Sequence, residues 1–246
     1  MIALGNRRLR PHLWPTLMTL LGLAVLLALG TWQLERLESK RILIAELKAR
    51  AQDPPMALPA RILDAEALEF RPLRLQGRFL HDRELYLEAR SHRGQAGLHV
   101  ITPLLLDDGR ALLVDRGWVP LARRAPGTRR AGQLTGPVTV AGQARIGGWT
   151  GYGFLRPEND PEANVWLWME LPRMAQSAGL REPVTGLYLV AGPAANPGAL
   201  PIGRAAEVSL PNDHLQYAIT WYALALALLV VYLLQQSRPG DAGENE

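Results

Sequence analysis

Two long stretches without a single charge constrain this chain more than anything else in it. The first covers residues 13–34, centred on TLMTLLGLAVLLALG, and the second covers residues 217–234, YAITWYALALALLVVYLL. About 22 residues of helix at ~1.5 Å each reach ~33 Å, enough for a bilayer's hydrocarbon core of ~30 Å. A buried helix of a soluble domain is usually shorter and keeps a polar face. The expectation is a membrane protein with two transmembrane helices. That divides the 246 residues into a cytoplasmic tail 1–12, a span 13–34, a helical stalk 35–55, a domain 56–212, a second span 213–234 and a second cytoplasmic tail 235–246.

A cleaved signal peptide is the rival reading of the first stretch, with Arg7, Arg8 and Arg10 as its basic region and Ala28-Leu29-Gly30 as its cleavage site. Two features oppose it. The apolar run is long for a signal core, and helical periodicity continues through 31–51, where Trp32, Leu34, Leu37, Ile42, Ile44 and Leu47 recur between charges until Pro54-Pro55. An uncleaved anchor running on into the stalk is favoured. Small residues at four-residue spacing, Ala24 with Ala28 and Ala223 with Ala227, suggest where two helices approach. Tyr217, Trp221, Tyr222 and Tyr232 sit where interfacial anchors are expected. The charge bias leaves orientation open, because long translocated domains are exempt from the positive-inside count. The tail before the first span is too short for a mitochondrial presequence, so a bacterial inner membrane with the central domain in the periplasm is expected.

Within the central domain the pattern changes to short alternating runs bounded by Gly, Pro or Asp: 71–79, 84–90, 98–106, 110–119, 137–146, 164–171 and 186–192. Asp107-Asp108-Gly109 reads as a hairpin turn, and 173–179 as one short helix. The fold expected is a mainly-β domain, an antiparallel sheet closed as a small barrel or stacked as a sandwich, flanked by the two spans.

Chemistry is sparse. Cysteine is absent, which removes disulfides, thiolate metal sites and cysteine nucleophiles. There is no G-x-S-x-G elbow and no phosphate-binding glycine loop. None of the five histidines has zinc-site spacing; His92 and His99 flank a glycine-containing turn, where ordinary strand histidines are the commoner case. Arg123, Arg124, Arg129 and Arg130 read as a solvated loop. Asp115-Arg116-Gly117-Trp118 has two readings. One is a strand end, with an acid pairing an arginine, a glycine at a bend and a tryptophan capping the core. The other makes Arg116, Gly117 and Trp118 partner contacts. His214, Tyr217 and Trp221 fall at i, i+3 and i+7, on one helical face at the mouth of the second span. A neutral imidazole with flat aromatic neighbours is what an axial haem ligand requires; an interfacial anchor is the plainer alternative.

Four separated blocks resemble the surfeit-locus-one family of cytochrome oxidase biogenesis proteins. They are Gly30-Thr31-Trp32-Gln33-Leu34-Glu35-Arg36 with Lys40; His99-Val100-Ile101-Thr102-Pro103-Leu104; Leu112-Leu113-Val114-Asp115-Arg116-Gly117-Trp118-Val119-Pro120; and His214-Leu215-Gln216-Tyr217-Ala218-Ile219-Thr220-Trp221. The resemblance covers nearly the whole chain and includes the two-span layout. It departs at Ser39, where an aromatic is expected, and at Asp213, where an amide is expected. An acid there would raise the pKa of His214 or hydrogen-bond its ring.

What the resemblance implies is an assembly factor rather than an enzyme. Such a factor would hold haem a transiently and aid its insertion into cytochrome oxidase subunit I, with haem a synthase as a further partner. The family's haem-linked histidine maps onto His214 and its stalk tryptophan onto Trp32, so the expected haem contacts are His214, Tyr217, Trp221 and Trp32, with no metal beyond the haem iron. The lack of cysteine fits, because copper-delivery factors need soft thiolate ligands. The alternative is a cofactor-free scaffold that grips subunit I through the β domain and Arg116-Gly117-Trp118. A tethered hydrolase lacks any recognisable nucleophile with its base.

Overall fold

The computed structural model describes residues 3–4, 7–9, 11–204, 208 and 210–239. Its regular elements are three α-helices, α1 (Leu13–Arg50), α2 (Leu171–Ser177) and α3 (His214–Gln236), and six strands. The strands are β1 (Pro72–Phe79), β2 (Leu85–His92), β3 (Gln95–Leu106), β4 (Ala111–Pro120), β5 (Val138–Arg145) and β6 (Pro183–Ala191). Three further short strands, Ala3–Leu4, Arg7–Leu9 and Ser237–Pro239, pair antiparallel as a small separate sheet. The chain forms two compact units, one of α1 up to Ala45 with α3, the other of residues 46–208.

In the first unit α1 and α3 are antiparallel, as successive contacts demonstrate. The backbone N–H of His12 donates to Gln236, the Thr16 and Tyr232 hydroxyls lie 2.7 Å apart, those of Thr31 and Tyr222 lie 3.2 Å apart, and Gln33 meets His214. Along α1 the residues withdrawn from solvent include Thr16, Thr19, Leu23, Leu26, Gly30, Gln33 and Leu37; along α3 they include His214, Ala218, Trp221, Ala225, Leu228 and Tyr232. Both series alternate steps of three and four, the spacing of a helix–helix seam with a 3.5-residue repeat. The close approach is made by Gly30, whose added Cβ would stand 2.8 Å from the Tyr222 ring, and by Gly22 against Leu228. This corrects the alanine pairs: Ala24, Ala28, Ala223 and Ala227 all face outward. Tyr222 and Tyr232 are likewise half-buried in the seam, where their hydroxyls find threonine partners, rather than serving as interfacial anchors alone.

The second unit is a closed five-stranded barrel. Its strand order is β1-β5-β6-β4-β3, closed by β3 returning to β1 through Gly77–Phe79 against Leu104–Leu106. β3 is long enough to serve two neighbours: its first half pairs with β2, which hangs on the barrel's side, and its last residues close the barrel. All pairings are antiparallel except β4 with β6. The interior holds Leu73, Leu75, Leu104, Leu112, Val114, Leu187 and Leu189, each almost wholly buried. The opposite face of β4 is also covered: Leu113 packs with Trp166, Met169 and Met174 from the 160–170 segment and α2. Covered on both faces, residues 111–119 are buried in succession rather than at every second position.

One expected strand is absent. Residues 164–171 make only isolated bridges, Val165 with Asp160, Trp166 with Leu87 and Met169 with Gly148. Asn164 has φ +51°, which breaks the extended run at its start, and its side chain is used to hold the Glu84 carbonyl and the Trp166 indole.

Candidate functional site

At the amino end of α3 the His214 imidazole reaches across to α1. Its Nδ1–H donates to Oε1 of Gln33 at 2.7 Å, and Gln33 is buried. With Nδ1 committed as donor, Nε2 carries the lone pair, which is the form that ligates a metal; a histidine ligand normally gives its other ring N–H to such an acceptor. The neighbouring Asp213 makes no side-chain hydrogen bond at the helix start, so the partner of the ring is Gln33 and not the acid beside it. Tyr217 is 56% exposed and Trp32 48% exposed, with the Arg36 guanidinium 5.9 Å from the Trp32 ring; Trp221 is half-buried in the seam. The four residues expected to contact haem therefore belong to one pair of helices, His214 and Trp221 on the seam and Tyr217 and Trp32 displaying apolar rings outward.

The Asp115–Trp118 segment is interior. Asp115 accepts from Nδ1 of His99 at 2.9 Å and from the Gly117 N–H at 3.0 Å, and does not pair with Arg116. Arg116 is 2% exposed; its Nη2 donates to the Gly132 carbonyl and Nη1 lies 3.8 Å from Glu84. Gly117 has φ +114°, and a Cβ there would fall 1.9 Å from the Ile202 carbonyl oxygen. Trp118 is buried, bridged through its backbone to Ile202, with the His92 ring 5.3 Å away. The Arg116 and Trp118 side chains are thus both buried within the domain.

Beside this segment stands a buried charge cluster that the sequence hides. Glu84 receives both arms of Arg129, and His81 and Thr102 approach the same carboxylate at 3.4 Å. Burial pushes Glu84 up, but the hydrogen bonds from His81 and Arg129 and the charges of Arg129 and Arg116 outweigh it, holding the carboxyl below its ordinary range. Arg116 is pushed down to about 10, by burial first and by Arg129, against the pull of Glu84. Arg129 is thus no solvated loop residue: its side chain is 1% exposed. It ties the 126–132 turn to the barrel, while Arg123, Arg124 and Arg130 stay toward solvent. No run of three or more metal-ligating side chains gathers among the described residues.

Two helices long and apolar enough to cross a bilayer, joined to a closed β-barrel, define a membrane-anchored barrel protein. Its sequence matches the SURF1 family over residues 20–226. It is 39% identical over 215 residues to surfeit locus protein 1 of Homo sapiens, covering 81% of this chain and 70% of the human one. It is also 34% identical over 228 residues to a SURF1-like protein of Monosiga brevicollis, covering 88% and 85%, and 37% identical over 219 residues to surfeit locus protein 1 of Mus musculus, covering 83% and 70%. The chain belongs to the SURF1 family.

Proposed function

We propose that this chain is a non-enzymatic assembly factor for a haem–copper cytochrome oxidase, and that it holds haem a through His214 and hands it to oxidase subunit I. It is anchored by α1 and α3 in a bacterial cytoplasmic membrane, with the barrel on the periplasmic side. The observation that carries the reading is the His214–Gln33 hydrogen bond, which leaves Nε2 available at the mouth of an otherwise apolar helix pair. Tyr217, Trp221 and Trp32 supply flat apolar surface for the macrocycle; the iron supplies the affinity for nitrogen. One histidine without a second strong ligand suits a carrier that must release its cargo. A haem a synthase, which makes that cargo, is the natural donor partner.

Arg116, Gly117 and Trp118 enter this reading as supports of the barrel's outer loops, through Gly132 and Ile202. The test is the visible spectrum of the full chain purified from cells that make haem a, beside His214→Ala. A Soret band lost in the variant, with the protein still membrane-inserted, supports the assignment; a band of equal strength in both sinks it.

A further inference from the structure

A second site is built wholly from residues of the barrel domain and is independent of the reading of His214. A cavity of about 460 Å³ opens between β2, the starts of β3 and β4's far end, and the loop after β5, within the size range of small-ligand pockets. Its walls carry three guanidiniums, Arg90, Arg145 and Arg204, together with His99, Asp115 and the Tyr188 hydroxyl. Two backbone irregularities aim these groups. The β2–β3 register shifts between Leu87 and Arg90, where Ala89 takes φ +55°, and the β3–β4 register shifts between His99 and Ile101. Such shifts re-aim side chains next to functional sites.

The charges do not balance. Arg145 pairs with Glu69 at 3.3 Å, and Arg204 lies 3.6 Å from Asp115, whose remaining lone pairs are taken by His99 and the Gly117 N–H. Among the described residues Arg90 donates to the carbonyls of Ala89 and Leu167. Arg90, Arg145 and Arg204 stand against two carboxylates, Glu69 and Asp115, so the carboxylates do not match the arginines one for one. A cation held this way is disfavoured: burial lowers the pKa of Arg90, helped by Arg204 and opposed by Asp115 and Tyr188. A bound anion would relieve that cost. The rim is apolar on one side. Trp149 lines the cavity, donates its Nε1–H to the Tyr152 carbonyl, and leads into Tyr152, Phe154 and Leu155, which are 74%, 84% and 62% exposed.

We propose that this cavity binds a singly charged oxyanion carried on an apolar body, with Arg90 and Arg204 holding the anion, Tyr188 donating to it, and the Trp149–Leu155 lip covering the body. A phospholipid phosphodiester and a soluble organic carboxylate share this chemistry, and the experiment separates them. The full chain in non-ionic detergent is titrated calorimetrically with dihexanoyl phosphatidylglycerol, with its deacylated headgroup, and with benzoate. Arg90→Gln, Arg204→Gln and the isosteric Tyr188→Phe are compared with Arg90→Lys, which keeps the charge. Binding of the lipid that is weakened about tenfold or more by either glutamine variant, and less by Arg90→Lys, supports a phospholipid occupant; the same pattern with benzoate alone supports a soluble carboxylate. Failure of all three probes to bind the wild-type chain overturns the proposal. So does binding that Arg90→Gln, Arg204→Gln and Tyr188→Phe, each checked for an unchanged melting temperature, leave intact.

Discussion

Arg129 and Glu84 face each other with both nitrogens on both oxygens, through side chains that are 1% and 2% exposed, 45 positions apart in the chain. The pair joins the turn after β4 to the start of β2. Removing one member leaves the other charge buried. Arg129→Ala is therefore expected to cost on the order of 3–5 kcal/mol of domain stability. Arg129→Lys recovers only part of it, because an ammonium cannot meet both oxygens. Urea denaturation of the full chain, followed by tryptophan fluorescence, checks both; equal midpoints for the variant and the wild type would sink the assignment.

The same carboxylate predicts an acid limit. Glu84 is held below its ordinary value of about 4.5, so the folded chain binds fewer protons there than the unfolded one. Its contribution is complete above the unfolded pKa and is lost as pH falls through the lower folded value. Melting temperature measured from pH 6 downward should fall in acid for the wild type, and the fall should be shallower in Glu84→Gln.

Gly117 admits no side chain. At φ +114°, with the Ile202 carbonyl 1.9 Å from where a Cβ would stand, Gly117→Ala must move the β4 backbone or the 200–203 segment. A loss of more than about 2 kcal/mol is expected, read as a drop in yield and in resistance to limited proteolysis.

The helix pair can be tested directly because the chain has no cysteine of its own. Thr16→Cys with Tyr232→Cys, whose native hydroxyls lie 2.7 Å apart, should be joined in membranes by a bismaleimide long enough to span the missing tyrosine ring. Gly30→Val, which places bulk against the Tyr222 ring, should reduce that cross-linking severalfold.

Gln33 orients His214, and its loss should be milder than loss of the ring itself. On the proposed haem role, Gln33→Leu is expected to weaken haem retention about tenfold or more, measured by haem titration in detergent, and His214→Ala is expected to abolish it. Unchanged retention in Gln33→Leu would remove the orienting role.

The parts legible in the sequence are those governed by local pattern. Alternation marks six of the seven expected runs as strands, and Asp107-Asp108-Gly109 does turn the β3–β4 hairpin, with Gly109 at φ +88°. The run at 164–171 has the same strand-like composition, but Trp166 and Met169 owe their burial to packing on the outer face of β2 and β4, not to a ladder. The Arg129–Glu84 pair, the parallel β4–β6 contact and the cavity around Arg90 all join residues distant in sequence, which no local period encodes. The helix seam fails for another reason: alanine is common on apolar helices, so its spacing selected the outward face while two glycines, Gly22 and Gly30, mark the inward one. For the site, the histidine at the start of α3 was visible from its neighbours at i+3 and i+7. Its partner Gln33 lay unmarked within a block that resembled the family.

β6 is the last strand of the barrel to leave the ribosome, yet it occupies the place between β4 and β5. Until residue 191 has emerged, both of those strands keep a free edge, and unpaired edges invite pairing with other chains. The nascent chain therefore passes through a period in which α1 is already long enough to enter a bilayer while the barrel stands open. Those edges call for protection during synthesis, a need that disappears once β6 pairs with both strands.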